Sequence, residues 1–191
     1  MRVPPLLELI SADIDVVRFF KGLPPTALGK ARCMASPSFV CTTIYRVAHA
    51  LCAGNVPLLP RVLWWLNFLL FKVDLDQRAK LYGGLYLPHP MMIVIGKGTQ
   101  LRGAAKIMHG ATLGGSLGRK RAYADAVVDQ PVLNGRFFIG INALIAGPVV
   151  LSGDVFVSPS SVVSRDFNNV CVYGANQAKS LNDALTMELP R

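Results

Sequence analysis

The sequence predicts a mainly β protein, a parallel β-helix of hexapeptide repeats behind a helical N-terminal region. Three observations carry this. Apolar residues recur at helical spacing before residue 73, a six-residue period replaces the helical one after it, and small residues hold a fixed place within the hexads. With 191 residues, 52% of them hydrophobic, the chain has ample material for a core of ordinary domain size.

The helical region comes first. Leu6, Leu7, Ile10, Ile14 and Val17 mark one helix, and Phe39, Val40, Ile44, Val47 and Leu51 mark another, closed by Gly54 and Asn55 as a C-cap. Pro24, Pro25, Pro57 and Pro60 punctuate the segments, so about three helices are expected, the third carrying Trp64 and Trp65. An aromatic stripe of this kind reads as core or subunit interface. The apolar run from Val62 to Phe71 is bounded by Arg61 and Lys72 and falls well short of the roughly twenty residues that span a bilayer. It is a buried helix or an interfacial one. The opening "MRVPPLLELISADID" breaks its apolar residues with prolines and acids, so no secretory signal is expected and the expected location is cytoplasmic.

Beyond residue 73, Leu75, Leu81 and Leu87 share one register. Ile95, Leu101, Ile107 and Leu113 share a second, and Leu133, Ile139, Ile145, Leu151, Val157 and Val163 a third. Every position in these registers is aliphatic. Ala79, Thr99, Ala105, Ala111, Ala143 and Ser161, four places after an aliphatic, suit a tightly wound coil in which each hexad is a short strand plus a turn. Three hexads make one triangular coil, giving roughly four to five coils.

The register breaks carry information too. Leu87 to Ile95 is eight residues instead of six, which places two extra residues around "PHPMM", beside His89. Leu113 to Leu133 is twenty, so a loop at about residues 114–131 must leave the coil. The expected organisation is a helical region over 1–72, a β-helix over 73–176 with that inserted loop, and a C-terminal tail over 177–191.

A formal net charge of +9 suits an anionic partner, but charge alone does not choose among a phosphorylated cofactor, an acidic glycan, a membrane surface and nucleic acid. Cys33, Cys41, Cys52 and Cys171 show no CxxC pair and no metal-ligand spacing, so reduced thiols are expected. His49, His89 and His109 lack the spacing of a three-histidine metal site, and His49, in "YRVAHAL", reads as helix packing.

Several segments together resemble a known family. "ADIDVV" and "YRVAHAL", then "VDLDQ", "PHPMMIVIG", "IMHGATLGG" and "NQAK" occur in the order and spacing of the hexapeptide acyltransferases, within their serine O-acetyltransferase-like branch. The resemblance implies a left-handed β-helix. It implies acyl transfer from acetyl-CoA, a co-substrate with no tightly bound cofactor, to a hydroxyl acceptor, by a homotrimer or a dimer of trimers with the active site between adjacent subunits. Nucleic acid is not an expected partner. On the matching positions, His89 falls on the general base and Asp74, fifteen residues earlier, on its carboxylate partner. The chemistry is coherent: a hydroxyl is a poor nucleophile near neutral pH, and an imidazole oriented by a carboxylate removes its proton as it attacks the thioester. A backbone N–H from a glycine turn would stabilise the oxyanion.

The resemblance also places the CoA groove along Gly115, Ser116, Ile141, Ser158 and Ser160, with Lys179 near the C-terminus. Phe156 stands where the serine enzymes commonly carry a lysine, so Arg165, Lys179 or the run Arg119 to Arg121 would meet the phosphates instead. The acceptor side departs further. Pro88 replaces an aspartate that precedes the catalytic histidine in the serine enzymes, and Asp129 and Gln130 stand where an arginine and a histidine meet the carboxylate. Lys21 falls near a further acidic position, and His109 lies between the two register breaks as a third acceptor-side candidate. The expected function is therefore O-acetylation of a sugar, glycan or other small alcohol. Serine or homoserine O-acetylation with a rebuilt pocket is the alternative, and a non-catalytic trimeric scaffold is a third. The basic charge and the Trp-containing helix are compatible with an acceptor at the inner membrane face.

Overall fold

The structure, a computed structural model, describes residues 4–124, 126–169 and 171–172; Lys179, "NQAK" and the tail lie outside the described residues. Four helices come first: α1 (Leu6–Phe20), α2 (Ala27–Met34), α3 (Pro37–Ala53) and α4 (Leu59–Phe71). The periodicity finds three of them and misses α2, which is only eight residues long and too short for an apolar stripe to emerge. Local chemistry defines it instead: the Thr26 hydroxyl accepts from the Gly29 N–H at 3.2 Å. Ser36 caps α3 in the same way, accepting from the Phe39 N–H, with Pro37 in the first turn. At the far end of α3, Gly54 is the C-cap and Asn55 takes the left-handed conformation.

A buried ion pair fastens these helices to the β-helix. Asp13 on α1 and Arg46 on α3 are both almost fully buried. Arg46 donates to both carboxylate oxygens, Nε to Oδ2 at 2.9 Å and Nη2 to Oδ1 at 2.8 Å. It donates onward to the carbonyls of Leu81 and Gly83, while the Leu85 N–H donates to Asp13 at 2.7 Å. Burial pushes the Asp13 carboxyl up from its ordinary value, and the guanidinium and the Leu85 N–H pull against that. All three guanidinium nitrogens and both carboxylate oxygens are hydrogen-bonded, which makes a buried charge tolerable.

The remainder is a parallel, three-sided solenoid of about five turns. One face is a five-stranded sheet of Asp74–Leu75, Val94–Ile95, Thr112–Gly114, Leu144–Ala146 and Val162–Val163. The other two are joined by Val132–Ile139 and Val150–Val157, which bend round a corner and pair with shorter strands on both sides of it. All thirteen aliphatics of the hexad registers are buried, as are the six small residues. The coil length is legible in the pairing. Ile95 lies beside Leu113 and Leu133 beside Leu151, eighteen residues on, but Leu75 lies beside Ile95, twenty on. The two extra residues belong to the loop that holds His89. Leu113 pairs with Ile145, thirty-two residues on, and the surplus forms an antiparallel hairpin, Arg121–Tyr123 with Ala126–Val128, outside the coil.

A glycine column closes the bent corner. A Cβ on Gly103 would lie 1.9 Å from the Gly135 carbonyl oxygen, and one on Gly135 2.1 Å from that of Gly153. The coils approach backbone to backbone there, with no room for a side chain. Gly103→Ala is expected to cost about 1–3 kcal/mol or more, since neither backbone can yield without breaking the ladder. A lowered urea midpoint with an unchanged m-value would show it.

Candidate active site

Two corners flank the five-stranded sheet, and the candidate residues divide between them. The first stacks the loop 88–92 on the turns His109–Gly110, Ile141–Asn142 and Pro159–Ser160. The Gly110 N–H donates to the Met91 carbonyl (3.2 Å), the Asn142 N–H to that of His109 (3.1 Å) and the Ser160 N–H to that of Ile141 (2.7 Å). Each level turns through a left-handed residue, Met92, Gly110, Asn142 and Ser160. At Gly110 a Cβ would sit 1.9 Å from Asn142 Oδ1, so a larger residue there would have to displace the Asn142 amide as well as adopt a positive φ.

This corner brings His89, His109, Ile141, Ser158 and Ser160 together. His89 is exposed, and its ring meets the edge of the His109 ring at a centroid distance of 5.8 Å. His109 is half-buried, with an Nδ1 that is shut from solvent and has no hydrogen-bond partner. A buried polar atom of this kind is a receptor for an incoming donor or acceptor. Ser158 is buried, Ser160 is exposed, and Pro88 beside His89 is half-buried and carries no charge.

Asp74 begins the first strand of the sheet. Its N–H donates to the Ile93 carbonyl at 2.8 Å, and the Met92 N–H donates to the Lys72 carbonyl at 2.9 Å, so the His89 loop runs alongside this strand's start. The carboxylate is held by a residue that the sequence reading assigned to packing: Trp64 on α4 donates its indole N–H to Asp74 Oδ1 at 2.8 Å. Among the described residues no hydrogen bond joins Asp74 to His89, and Oδ2 is left without a partner. The only sequence signal for the Trp64 contact is its ten-residue separation from Asp74, which becomes a contact because Lys72 turns the chain through the left-handed region.

The second corner, at the other end of the sheet, holds Gly115, Ser116 and Gln130. The Gln130 side chain packs between Gly96 and Gly115: a Cβ on either glycine would come within 2.7 Å of it. Its Oε1 is buried and unpartnered. Within one chain Gln130 therefore belongs with the glycine turn, away from His89. Nearby, Arg119, Lys120, Arg121, Ser164 and Arg165 line a cavity of about 290 Å³. Arg121 is engaged there by Asp166 and the Pro148 carbonyl. Phe156 stacks on Phe138 at 4.6 Å, so the position where the serine enzymes carry lysine is filled by an aromatic ladder.

The third histidine serves packing: His49 Nδ1 lies 2.9 Å from the Gln77 carbonyl, its ring stacks on Tyr45, and burial pushes its imidazole below the ordinary value. Burial pushes the Cys41 thiol up to about 12, which leaves it without thiolate character. Among the described residues no group of three His, Cys, Asp or Glu side chains is placed to hold a metal. An exposed imidazole set edge-on to a second one, in a loop whose backbone runs alongside the strand of Asp74, is suited to proton transfer to or from a hydroxyl.

No family model matches the chain. A Helicobacter pylori serine acetyltransferase is 31% identical to it over 122 residues, covering 64% of this chain and 68% of that protein. The chain belongs to the serine acetyltransferase family. A second serine acetyltransferase, from Synechococcus elongatus, is 28% identical over 166 residues, and the chain spans 87% of its own length but 65% of that protein's. The crystal structure of Neisseria gonorrhoeae serine acetyltransferase in complex with serine is 26% identical, with a TM-score of 0.74 over 91% of this chain and 68% of that one. The solenoid is thus the left-handed β-helix of the serine acetyltransferases. The relatives carry serine in their names and no sugar, so they favour the serine or homoserine alternative over the glycan expectation.

Proposed function

We propose that the chain is an acetyl-CoA-dependent O-acetyltransferase acting on the hydroxyl of serine or a closely similar amino acid. The observation that carries this is the exposed His89 ring set edge-on to His109 beside the Asp74 strand, in a chain whose relatives are serine acetyltransferases. His89 takes the acceptor's hydroxyl proton as the oxygen attacks the thioester carbonyl. The tetrahedral intermediate collapses, the C–S bond breaks, and the proton passes from the imidazolium to the departing CoA sulfur, with no acyl-enzyme. Trp64 holds Asp74 through Oδ1, so Oδ2 is the oxygen that orients His89. Backbone N–H groups of a glycine turn meet the oxyanion.

In a homotrimer CoA would lie between subunits, past Ile141, Ser158 and Ser160 of one and Gly115 and Ser116 of the next, with its phosphates at the basic cavity of Arg119 to Arg121 and Arg165. In a homotrimer the His89 corner of one subunit would face the Gln130 corner of the next, and Gln130 Oε1 and His109 Nδ1, both unpartnered within one chain, would then read the acceptor.

A second reading, a neutral hydroxyl such as a sugar's, is favoured by one feature: Pro88 and Gln130 supply neither an acid for an ammonium nor a cation for a carboxylate. Thiol release from acetyl-CoA against serine, homoserine, neutral sugars and glycerol separates the two. The expected result is a kcat/KM for an amino acid at least tenfold above that for any sugar. The reverse order would transfer the assignment to neutral alcohols, and silence on every acceptor would favour a scaffold.

A further inference from the structure

Helix α4 is apolar on both faces: Leu63, Trp64 and Phe71 turn partly inward, with Phe71 packed on the core, and the outer face is apolar too. At the spacing i, i+4, i+7, i+8, i+11 and i+12, Leu58, Val62, Trp65, Leu66, Leu69 and Leu70 are between 41% and 77% exposed. The amide of the same helix points inward: Asn67 is buried and donates to the Cys41 carbonyl at 3.2 Å. A surface helix of a water-soluble domain turns polar residues to solvent, not leucines. The stripe is about 18 Å long at the rise of an α-helix, and no helix among the described residues is long and apolar enough to cross a membrane. Whatever covers this face covers it lengthwise.

Charge narrows the choice of occupant. Leu58 to Lys72 contains no acidic residue, and the exposed Arg61 and Lys72 stand at the two ends of the run Val62 to Leu70 that makes up most of the stripe. The Arg61 guanidinium lies 4.8 Å from the Trp64 ring centroid. Two copies of this face packed antiparallel would bring Arg61 of each against Lys72 of the other, with no acid on either helix to offset the repulsion. An anionic lipid surface meets both requirements at once, taking leucine and tryptophan at the headgroup boundary and attracting the flanking cations.

We propose that α4 docks flat on an anionic lipid bilayer, with this stripe in the interface and Arg61 and Lys72 among the headgroups. Trp64, on the same helix, bonds Asp74, so docking places the lipid surface next to the His89 corner. The proposal does not depend on which acceptor the enzyme uses.

Trp64 and Trp65 are the only tryptophans in the chain, so its intrinsic fluorescence reports directly on α4. The full chain, without acetyl-CoA, is mixed with vesicles of phosphatidylcholine alone or with about a third phosphatidylglycerol and assayed by flotation. Wild type is expected to float with the anionic vesicles, with a blue-shifted emission that brominated acyl chains quench. A Leu66→Ser/Leu69→Ser variant, whose fold is checked by circular dichroism, is expected to bind at least tenfold more weakly. Wild type that stays behind at every lipid composition would overturn the proposal. So would a variant that floats normally while its mass by light scattering falls, since a second copy would then be what covers the face. Acetyl transfer to a water-soluble acceptor is measured separately, so wild type that transfers acetyl but floats with no vesicle refutes docking and leaves the proposed function standing.

Discussion

With His89 replaced by alanine, kcat for acetyl transfer falls by about 10²- to 10⁴-fold, the usual worth of a positioned general base. The His89 side chain is exposed, and the backbone carbonyl that accepts from the Met91 N–H is kept in the alanine variant, so the variant should unfold at the same urea concentration as wild type. That separates a chemical loss from a structural one. His109→Ala should act differently. Its Nδ1 is a buried atom awaiting a partner, so the loss appears mainly in acceptor KM, with kcat lowered less than in His89→Ala. Steady-state CoA release on both variants checks this. Equal kcat losses would make the two imidazoles a single unit; a larger loss at His109 would reverse their roles.

Arg46→Ala is expected to destabilise the fold by about 3–5 kcal/mol, the cost of breaking a buried ion pair from one side. The guanidinium reaches Asp13 on α1 and the carbonyls of Leu81 and Gly83 on the first coil. Its removal strands a carboxylate that is 1% exposed and leaves two carbonyls short of a donor. Urea titration followed by circular dichroism measures the loss. Asp13→Leu combined with Arg46→Met should recover much of it, because the stranded charge, more than the missing attraction, carries the cost. A double variant no better than the single one would show that the bonds to Leu81 and Gly83 dominate.

The solenoid was legible because its signal is one-dimensional. A hexad aliphatic such as Leu133 or Val157 points inward whatever surrounds it, so spacing alone fixes its place, and the eight-residue step from Leu87 to Ile95 locates the loop that carries His89. The glycine column was not legible in the same way: Gly83, Gly103, Gly135 and Gly153 are separated by twenty, thirty-two and eighteen residues, and align only once both insertions have been subtracted. Trp64 and Asn67 show a different limit. Both lie in an apolar run that reads as a buried or interfacial helix, and period cannot say which face of such a run turns inward. The structure directs the amide and one indole to the protein and Leu66, Leu69 and Leu70 to solvent. The division of the candidate residues between two corners was also hidden, since Gln130 follows the hairpin and its partners Gly96 and Gly115 precede it.

The most direct test of the central claim is a distance. A crystal structure of the full chain with CoA and a bound hydroxyl acceptor should place the acceptor oxygen about 2.6–3.2 Å from a ring nitrogen of His89, with Asp74 Oδ2 on the other ring nitrogen and Oδ1 still on the Trp64 indole. An acceptor oxygen that sits instead within reach of His109, with His89 turned to solvent, would contradict it.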